Sequence, residues 1–411
     1  MKLKDIFKMV AIKRLSAVEI DASVSHQHEL NGVRDLSAIF GLSGEKKRFP
    51  AKFLYLNDDS LLSEPKLIME DGSVTWYDAR ANHPKRTEYR LYYSSSLLYE
   101  YAGEGDFLIT GFDGKQVWFI IVENESEIAA QLLWLFDFDA EEIQAKRFRI
   151  SDYQYDTHSL NVIEQLILEQ LGFETDLSND IDFDALLSRF TGKFPSTAEF
   201  SEYAREVSGV SSSMDHPDEV LLVWWAKEEQ LFRALEKSIV EEQLKIGFDD
   251  VDHFISFAKS VLNRRNSRAG HAFENHIATI LQEHNIIFDK GKLTEYKSKP
   301  DFLFPSAEIY QKVVASEAMQ KNLTMLAAKT SCKDRWRQIT KEAKLIFPKH
   351  LITLEAAISI DQTDEMHRNG VQLIVPAEIQ SSYKPAQQKW LMRFEDLIAL
   401  VRERQKYFHM K

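Results

Sequence analysis

The chain has one cysteine among 411 residues. That count excludes an internal disulfide framework and a cysteine-only zinc site, and it fits a reducing cytosol. Its longest apolar runs, such as LLVWW at 221–225, fall far short of the roughly 20 residues that a membrane helix needs. The first residues, MKLKDIFKMVAIKRLSAVEID, carry charge throughout and hold no apolar run of signal-peptide length. A soluble, cytoplasmic protein without a membrane partner is expected. There is no internal repeat and no low-complexity tract. The fifteen glycines show no phosphate-loop pattern, and His26 and His28 lack partner ligands at zinc-site spacing. What is present is ordinary globular composition, 44% hydrophobic and 28% charged, which rules out wholesale disorder. The length suits two or three domains. A formal charge of -13 disfavours nucleic acid on a naive count, but binding depends on where the basic groups sit.

Residues 1–173 read mainly as strands. KFLYLND (52–58), KLIME (66–70), SVTWYDA (73–79), EYRLYYSSSLLY (88–99), DFLITGF (106–112) and QVWFIIV (116–122) are rich in aromatic and β-branched residues. Turn signals at Asn57-Asp58-Asp59, Asp71-Gly72 and Asp113-Gly114 divide them, which predicts a barrel or sandwich. Helices are expected near 126–135 and 158–171. Residues 174–218 read as a linker with short helices: 174–184 hold five acids and no base, and GVSSSMDHPDE follows at 209–219. From 219 to 411, helical periodicity in three segments is followed by DFLFP (301–305), TMLAAKT (324–330), HLITLEA (350–356) and VQLIVPA (371–377). Those segments read as buried strands alternating with helices, the pattern of an α/β core.

The chemistry concentrates in that last region. Pro300-Asp301 enters an apolar strand, Lys329 ends a second strand 28 positions later, and Glu342 follows after 13 more. Carboxylates are hard oxygen ligands for Mg²⁺, which polarises phosphates and lowers the pKa of bound water. A nearby lysine can orient the attacking water. On spacing alone, an unrelated Asp and Lys on adjacent strands is the commoner case. Basic density is a second signal: 329–344 hold six bases and two acids, and Lys259, Arg264, Arg265 and Arg268 fall in a stretch without an acid. The bland alternative for each is a solvated helix face. Lys333-Asp334-Arg335 says more than a charge count. Its donor–acceptor–donor order suits G·C pairs in the major groove, where Arg and Lys donate to guanine and Asp accepts from cytosine N4.

SVLNRRNSRAG (260–270), KPDFLFPSAEIY (299–310) and LAAKTSCKDRWRQITKEA (326–343), with PDEVLL (217–222) and GVQLIVP (370–376), resemble the catalytic domain of EcoRII-like type II restriction endonucleases, of the PD-(D/E)XK superfamily. KRLSAVEID with SHQ (13–27) and KRTEYR (85–90) resemble, more faintly, that family's effector-DNA-binding pseudobarrel, a relative of the plant B-three DNA-binding domains. The resemblance implies an N-terminal β pseudobarrel with helices, a restriction-endonuclease-like α/β core and an added helical subdomain. It also implies a homodimer cutting double-stranded DNA with Mg²⁺ at a CCWGG-like site, leaving 5′-phosphates. A partner methyltransferase and autoinhibition relieved by a second copy of the site are expected with it.

Carried over residue by residue, the resemblance makes Asp301 and Glu342 metal ligands and Lys329 the catalytic lysine. The acid usually found two residues before the lysine is replaced by Ala327, and Glu342 takes its place from the following helix. Glu274 matches a further acid on an earlier helix. Tyr310 matches a tyrosine near the active site, with a packing role equally open. Lys333, Asp334 and Arg335 match the segment that reads the outer C·G pairs. Trp224 and Trp225 replace an arginine-rich stretch near the family's flipped-base pocket, a departure that would alter the pocket, with a core role as the alternative. Lys13, Arg14, His26, Arg86, Glu88 and Arg90 match effector-DNA contacts; for the last three, a charged solvent-facing strand is the bland reading. A regulator built on an inactive nuclease core and a non-specific repair nuclease are the rival functions.

Overall fold

Alternating aromatic and aliphatic residues make long, half-buried strands in the first 175 residues, and helical periodicity dominates the remainder of the chain. In the computed structural model the chain separates into two compact units, Met1–Thr175 and Asp176–Lys411. Residues 1–21, 29–42, 45–58, 66–173, 175, 182–190, 193–295, 298–313, 317–332 and 335–409 are described. Among them, no helix is long and apolar enough to cross a membrane.

The first unit is built on β1 (Met9–Arg14), β2 (Lys47–Asn57), β3 (Lys66–Asp78), β4 (Tyr89–Tyr93), β5 (Phe107–Phe112), β6 (Val117–Val122) and β7 (Arg149–Asp152). They join in the order β4-β3-β2-β6-β5-β1-β7, antiparallel except for the parallel pair β2 and β6. The sheet curls around a core that includes Phe53, Trp76, Leu91, Leu108, Phe119 and Ile121, as the pseudobarrel reading expects. The helices Glu127–Leu135 and Val162–Gln170 lie within the two stretches where the sequence predicts helix.

Two local expectations change. Asp71-Gly72 is not a turn: 66–70 and 73–79 join into the single strand β3, with Gly72 opposite Ala51 in the ladder. A Cβ at Gly72 would lie 2.5 Å from Ser94 Oγ and 3.0 Å from the Phe53 ring, so the glycine is there for close approach. The segment expected as a strand through residue 99 stops at Tyr93, and Leu97–Tyr101 is a short helix. Asp113-Gly114 does turn between β5 and β6. The Asp113 carboxylate accepts from the backbone N–H groups of Lys115 and Gln116 and from the Trp118 indole.

The second unit opens with helices Phe183–Phe190 and Thr197–Glu206, inside the segment read as a linker. Their apolar faces join helix Pro217–Ile246 in a core of Leu186, Phe190, Phe200, Tyr203, Leu231 and Phe232, so this stretch folds as part of the unit. Pro217 starts the 30-residue helix, and Gly247 at φ 84° ends it in the left-handed region that favours glycine. Helix Val251–Glu283 then runs unbroken through two segments that read as separate periodic stretches, its first turn capped by Asp250. Behind these helices, β8 (Asp289–Lys290), β9 (Phe302–Phe304), β10 (Thr324–Lys329), β11 (Lys349–Thr353) and β12 (Val371–Ile374) form a five-stranded sheet in the order β12-β11-β10-β9-β8. β10, β11 and β12 are parallel, and β9 is antiparallel to β10. The four strands expected in this region are β9 to β12.

Candidate nuclease centre

Because β9 and β10 run antiparallel, with Phe302 opposite Leu326, the residue leading into β9 and the residue ending β10 meet at the same end of the two strands. These are Asp301 and Lys329. The Lys329 ammonium donates to Asp301 Oδ2 at 2.9 Å, and the Ala328 N–H donates to the same oxygen at 2.8 Å. The lysine side chain is 26% exposed and the aspartate 18%, so the pair faces solvent while the strands behind it are buried.

Glu342 joins them from a turn, not from a helix. The helix expected over this stretch is only Trp336–Ile339, and Glu342 lies just past it, its N–H on the Ile339 carbonyl at 3.0 Å. Ile339, Ala343 and Ile346 are buried, and Ala343 at φ 42° takes the chain out of the helix. Burial is the main reason the Glu342 carboxyl is pushed up to about 7. The Asp301 charge raises it further, and Lys329 and Lys349 act the other way. A carboxylate that feels a second carboxylate in a partly dry site is stabilised by a cation. Among the described residues there is no group of three or more metal-ligating side chains. Two carboxylates fit Mg²⁺, which keeps several waters and shares substrate phosphate oxygens rather than filling an all-protein cage.

The other residues singled out from sequence fall into different settings. Glu274 lies 3.3 Å from the Lys290 ammonium of β8. The Tyr310 ring is buried, and its hydroxyl donates to Glu295 at 2.7 Å; burial and that acceptor push its pKa well above the ordinary tyrosine value. Lys333 and Asp334 lie outside the described residues. Arg335 is exposed at the start of helix Trp336–Ile339, its N–H on the Cys332 carbonyl at 2.8 Å. Trp224 and Trp225 are buried, and the Trp224 indole donates to Val210 O at 3.1 Å; both placements match the core alternative. The basic run 259–270 is largely consumed inside the unit. Arg265 pairs with Glu236 at 2.5 Å, Arg268 pairs with Glu229, and Arg264 lies over the Phe194 ring at 4.0 Å.

Sequence reasoning passed over three residues. Glu355, at the end of β11, accepts the backbone N–H of Cys332, immediately before the reading triplet. Its one signal was position: an acid following a buried strand of a parallel sheet, where ligands gather. Glu295 and Lys349 flank the Glu342 turn. Burial pulls the Lys349 ammonium down to about 8, against the opposing pull of Glu295 and Glu342.

In the first unit, the Lys13 ammonium is fully buried and donates to Glu19 at 2.6 Å and to Asn31 O at 3.1 Å. That is a folding role, where a DNA-facing one was expected, because the charge cannot reach a phosphate. Arg14 is likewise engaged, donating to the Gly105 and Ala140 carbonyls and to Asn124. His26 lies outside the described residues. Arg86 and Glu88 precede β4 rather than alternating along it, and only Arg90 is in the strand. Glu88 bridges Arg80 at 2.5 Å and Arg90 at 2.9 Å, and Arg90 also reaches Glu29 at 3.1 Å.

The family described as EcoRII C terminal matches residues 232–398, a span that holds Glu274, Asp301, Lys329 and Glu342. That match covers less than half of the chain. The type II restriction enzyme EcoRII of Escherichia coli is 43% identical over 208 residues, half of this chain and half of that enzyme. The chain thus spans about half the length of the curated relative it matches. Two solved structures are similar at 18% identity. Metal-depleted Ecl18kI in complex with uncleaved, modified DNA gives a TM-score of 0.44 over 55% of this chain and 84% of that one. The restriction endonuclease PspGI–substrate DNA complex gives 0.42 over 52% and 94%. Residues 1–175 lie outside the EcoRII C-terminal domain match.

Proposed function

We propose that this chain is an EcoRII-type restriction endonuclease. It hydrolyses both strands of DNA at a CCWGG-like site with Mg²⁺ and leaves 5′-phosphates. The observation that carries the proposal is the Asp301–Lys329 contact, with Glu342 near enough to feel the Asp301 charge, within the span that matches the EcoRII C-terminal family. Mg²⁺, when bound, supplies charge stabilisation at the scissile phosphate and a more acidic water. Asp301 and Glu342 would hold it. The Lys329 ammonium, now on Asp301, is within reach of a phosphate oxygen or of the water lined up for in-line attack. Arg335 would donate to guanine from the start of its helix, with Lys333 and Asp334 completing the reading triplet.

Two such centres, one per protomer of a homodimer, would cut the two strands of a near-palindromic site. The first unit would bind a second copy of the site and restrain cleavage until occupied, and a methyltransferase of the same specificity would protect the host. The exposed Arg80 and Arg86 and the half-exposed Arg90, on and before β4, support a phosphate-binding surface there. Digesting a plasmid with Mg²⁺ and sequencing the ends tests the proposal. Ends gathered at one short site, cut before the first cytosine, are expected; a random spread would mark a non-specific nuclease. Binding at one site with no cleavage under any divalent metal would mark a regulator. Removal of residues 1–175 is expected to speed cleavage of single-site DNA, and slower cleavage by the fragment would remove the restraint.

A further inference from the structure

The turn that carries Glu342 is held from outside. Ala343, the next residue, has φ 42°, a left-handed conformation that alanine enters only where its surroundings hold it. Three contacts do so. The Ala343 carbonyl accepts from the Lys349 ammonium at 2.6 Å. The Lys344 N–H donates to the Glu295 carboxylate, and the Leu345 N–H donates to the Tyr310 hydroxyl at 3.2 Å. The hydroxyl in turn donates to Glu295 at 2.7 Å. Glu295 therefore takes one hydrogen bond from the turn directly and is linked to it a second time through Tyr310.

Glu295 also belongs to the segment that delivers Asp301. That segment is closed on itself: the Thr294 N–H donates to Ser298 O at 2.9 Å, and the Gly291 N–H donates to Asp301 O at 3.0 Å. The two candidate metal ligands come from different elements, 41 positions apart (342 minus 301). Glu295 joins the chain leading into one to the turn holding the other. We infer that Glu295 is a positioning residue that sets the Glu342 carboxylate against Asp301, and that Tyr310 acts through it rather than on the substrate. Lys349 completes the device from the core side, its ammonium on the turn and its charge facing both Glu295 and Glu342. The inference rests on the nuclease reading of Asp301, Lys329 and Glu342, and it explains how a turn can take the place of an acid two residues before the lysine.

The test uses the full chain and reads Mg²⁺ affinity by calorimetry, the melting temperature, and hydrogen exchange of the peptide spanning 340–348. Glu295→Gln should weaken Mg²⁺ binding about tenfold and speed exchange in that peptide, with exchange elsewhere unchanged. Tyr310→Phe should move both readouts in the same direction by less, and Glu295→Asp should restore part of the affinity. Unaltered Mg²⁺ affinity in Glu295→Gln, whether or not the melting temperature falls, would reduce Glu295 to a structural residue. If Glu295→Gln does not fold, Tyr310→Phe decides alone: unchanged exchange at 340–348 overturns the inference. Glu342→Gln separates this result from the parent reading. Normal Mg²⁺ binding and cleavage in Glu342→Gln would remove the catalytic centre itself, whereas loss there with none in Glu295→Gln removes only the positioning role.

Discussion

Lys13 meets Glu19 at 2.6 Å in the first unit, and Lys329 meets Asp301 at 2.9 Å in the second. The two contacts have the same chemistry and different surroundings. The first pair is completely buried, and its remaining hydrogen-bonding capacity is used: Glu19 also accepts from the Asn31 and Ser16 backbones and from the Ser16 hydroxyl. The second pair is partly exposed and has a third charged group beside it, Glu342, whose pKa is raised by burial and by Asp301. A buried, saturated ion pair fixes a fold. A half-open pair next to an acid whose pKa is raised by burial and by a second carboxylate can accept a cation and a phosphate. The comparison shows that the identity of the charged residues does not distinguish these uses; burial and the third group do.

The comparison breaks most visibly if the two lysines are exchanged in effect. Lys13→Met leaves Glu19 as an uncompensated buried charge. That should cost roughly 3–5 kcal/mol, a fall of roughly 10 °C in thermal unfolding of the first unit. Lys329→Ala leaves Asp301 partly solvated rather than fully buried and should leave the melting temperature close to that of the unaltered protein. It should instead lower the cleavage rate by about 10³-fold, the upper range for loss of one preorganised donor, while sparing site-specific binding. If Lys13→Met melts normally but loses DNA binding, burial has been given the wrong weight. If Lys329→Ala cuts normally, the catalytic assignment goes.

The same contrast explains how much of the molecule was legible in the sequence. Strand-ending residues such as Asp301 and Lys329 were legible because a strand has only two ends, and antiparallel pairing brings the start of one strand beside the end of its neighbour. Nine strands, β2 to β6 and β9 to β12, were legible from their aromatic and β-branched content, although Gly72 marked a close approach and not a turn; β1, β7 and β8 were passed over. Lys13 was not, because its position within β1 does not say that its ammonium turns inward to Glu19. Nor was the consumption of Arg265 and Arg268 by acids of the neighbouring helix, since helix-to-helix pairing at a separation of 29 or 39 residues leaves no local pattern. Glu295 lies in a polar loop without periodicity, and only the folded turn of Glu342 gives it a partner.

A smaller effect is expected where a carboxylate supports recognition without touching DNA. Arg335→Ala should cost about 1–3 kcal/mol at the G·C positions if its guanidinium reads a base edge. Glu355→Gln, which weakens the hold on the Cys332 N–H ahead of the same segment, should relax the same positions by less. Cleavage of sites with single substitutions, compared with cleavage of the preferred site, measures both. An Arg335→Ala protein with unchanged preference and a shallower salt dependence would show a phosphate contact instead.

The smallest expected change is at the surface pair that resembles neither lysine contact. Glu88 lies in the open between Arg80 and Arg90, which hold its carboxyl below the ordinary range through hydrogen bonds and charge. Exposed pairs of this kind add little to stability, so Glu88→Gln should leave the melting temperature unchanged. It also removes a negative charge from a surface where Arg80, Arg86 and Arg90 carry positive charge. Binding of the full chain to a short duplex carrying the site, with Lys329→Ala in the background to prevent cleavage, should therefore tighten modestly and become more salt-dependent as two guanidinium groups are released toward phosphates. Weaker binding would instead mean that Glu88 aims the two arginines, making the trio a preorganised recognition element. Unchanged binding at every salt concentration would move the second DNA copy off this face of the first unit.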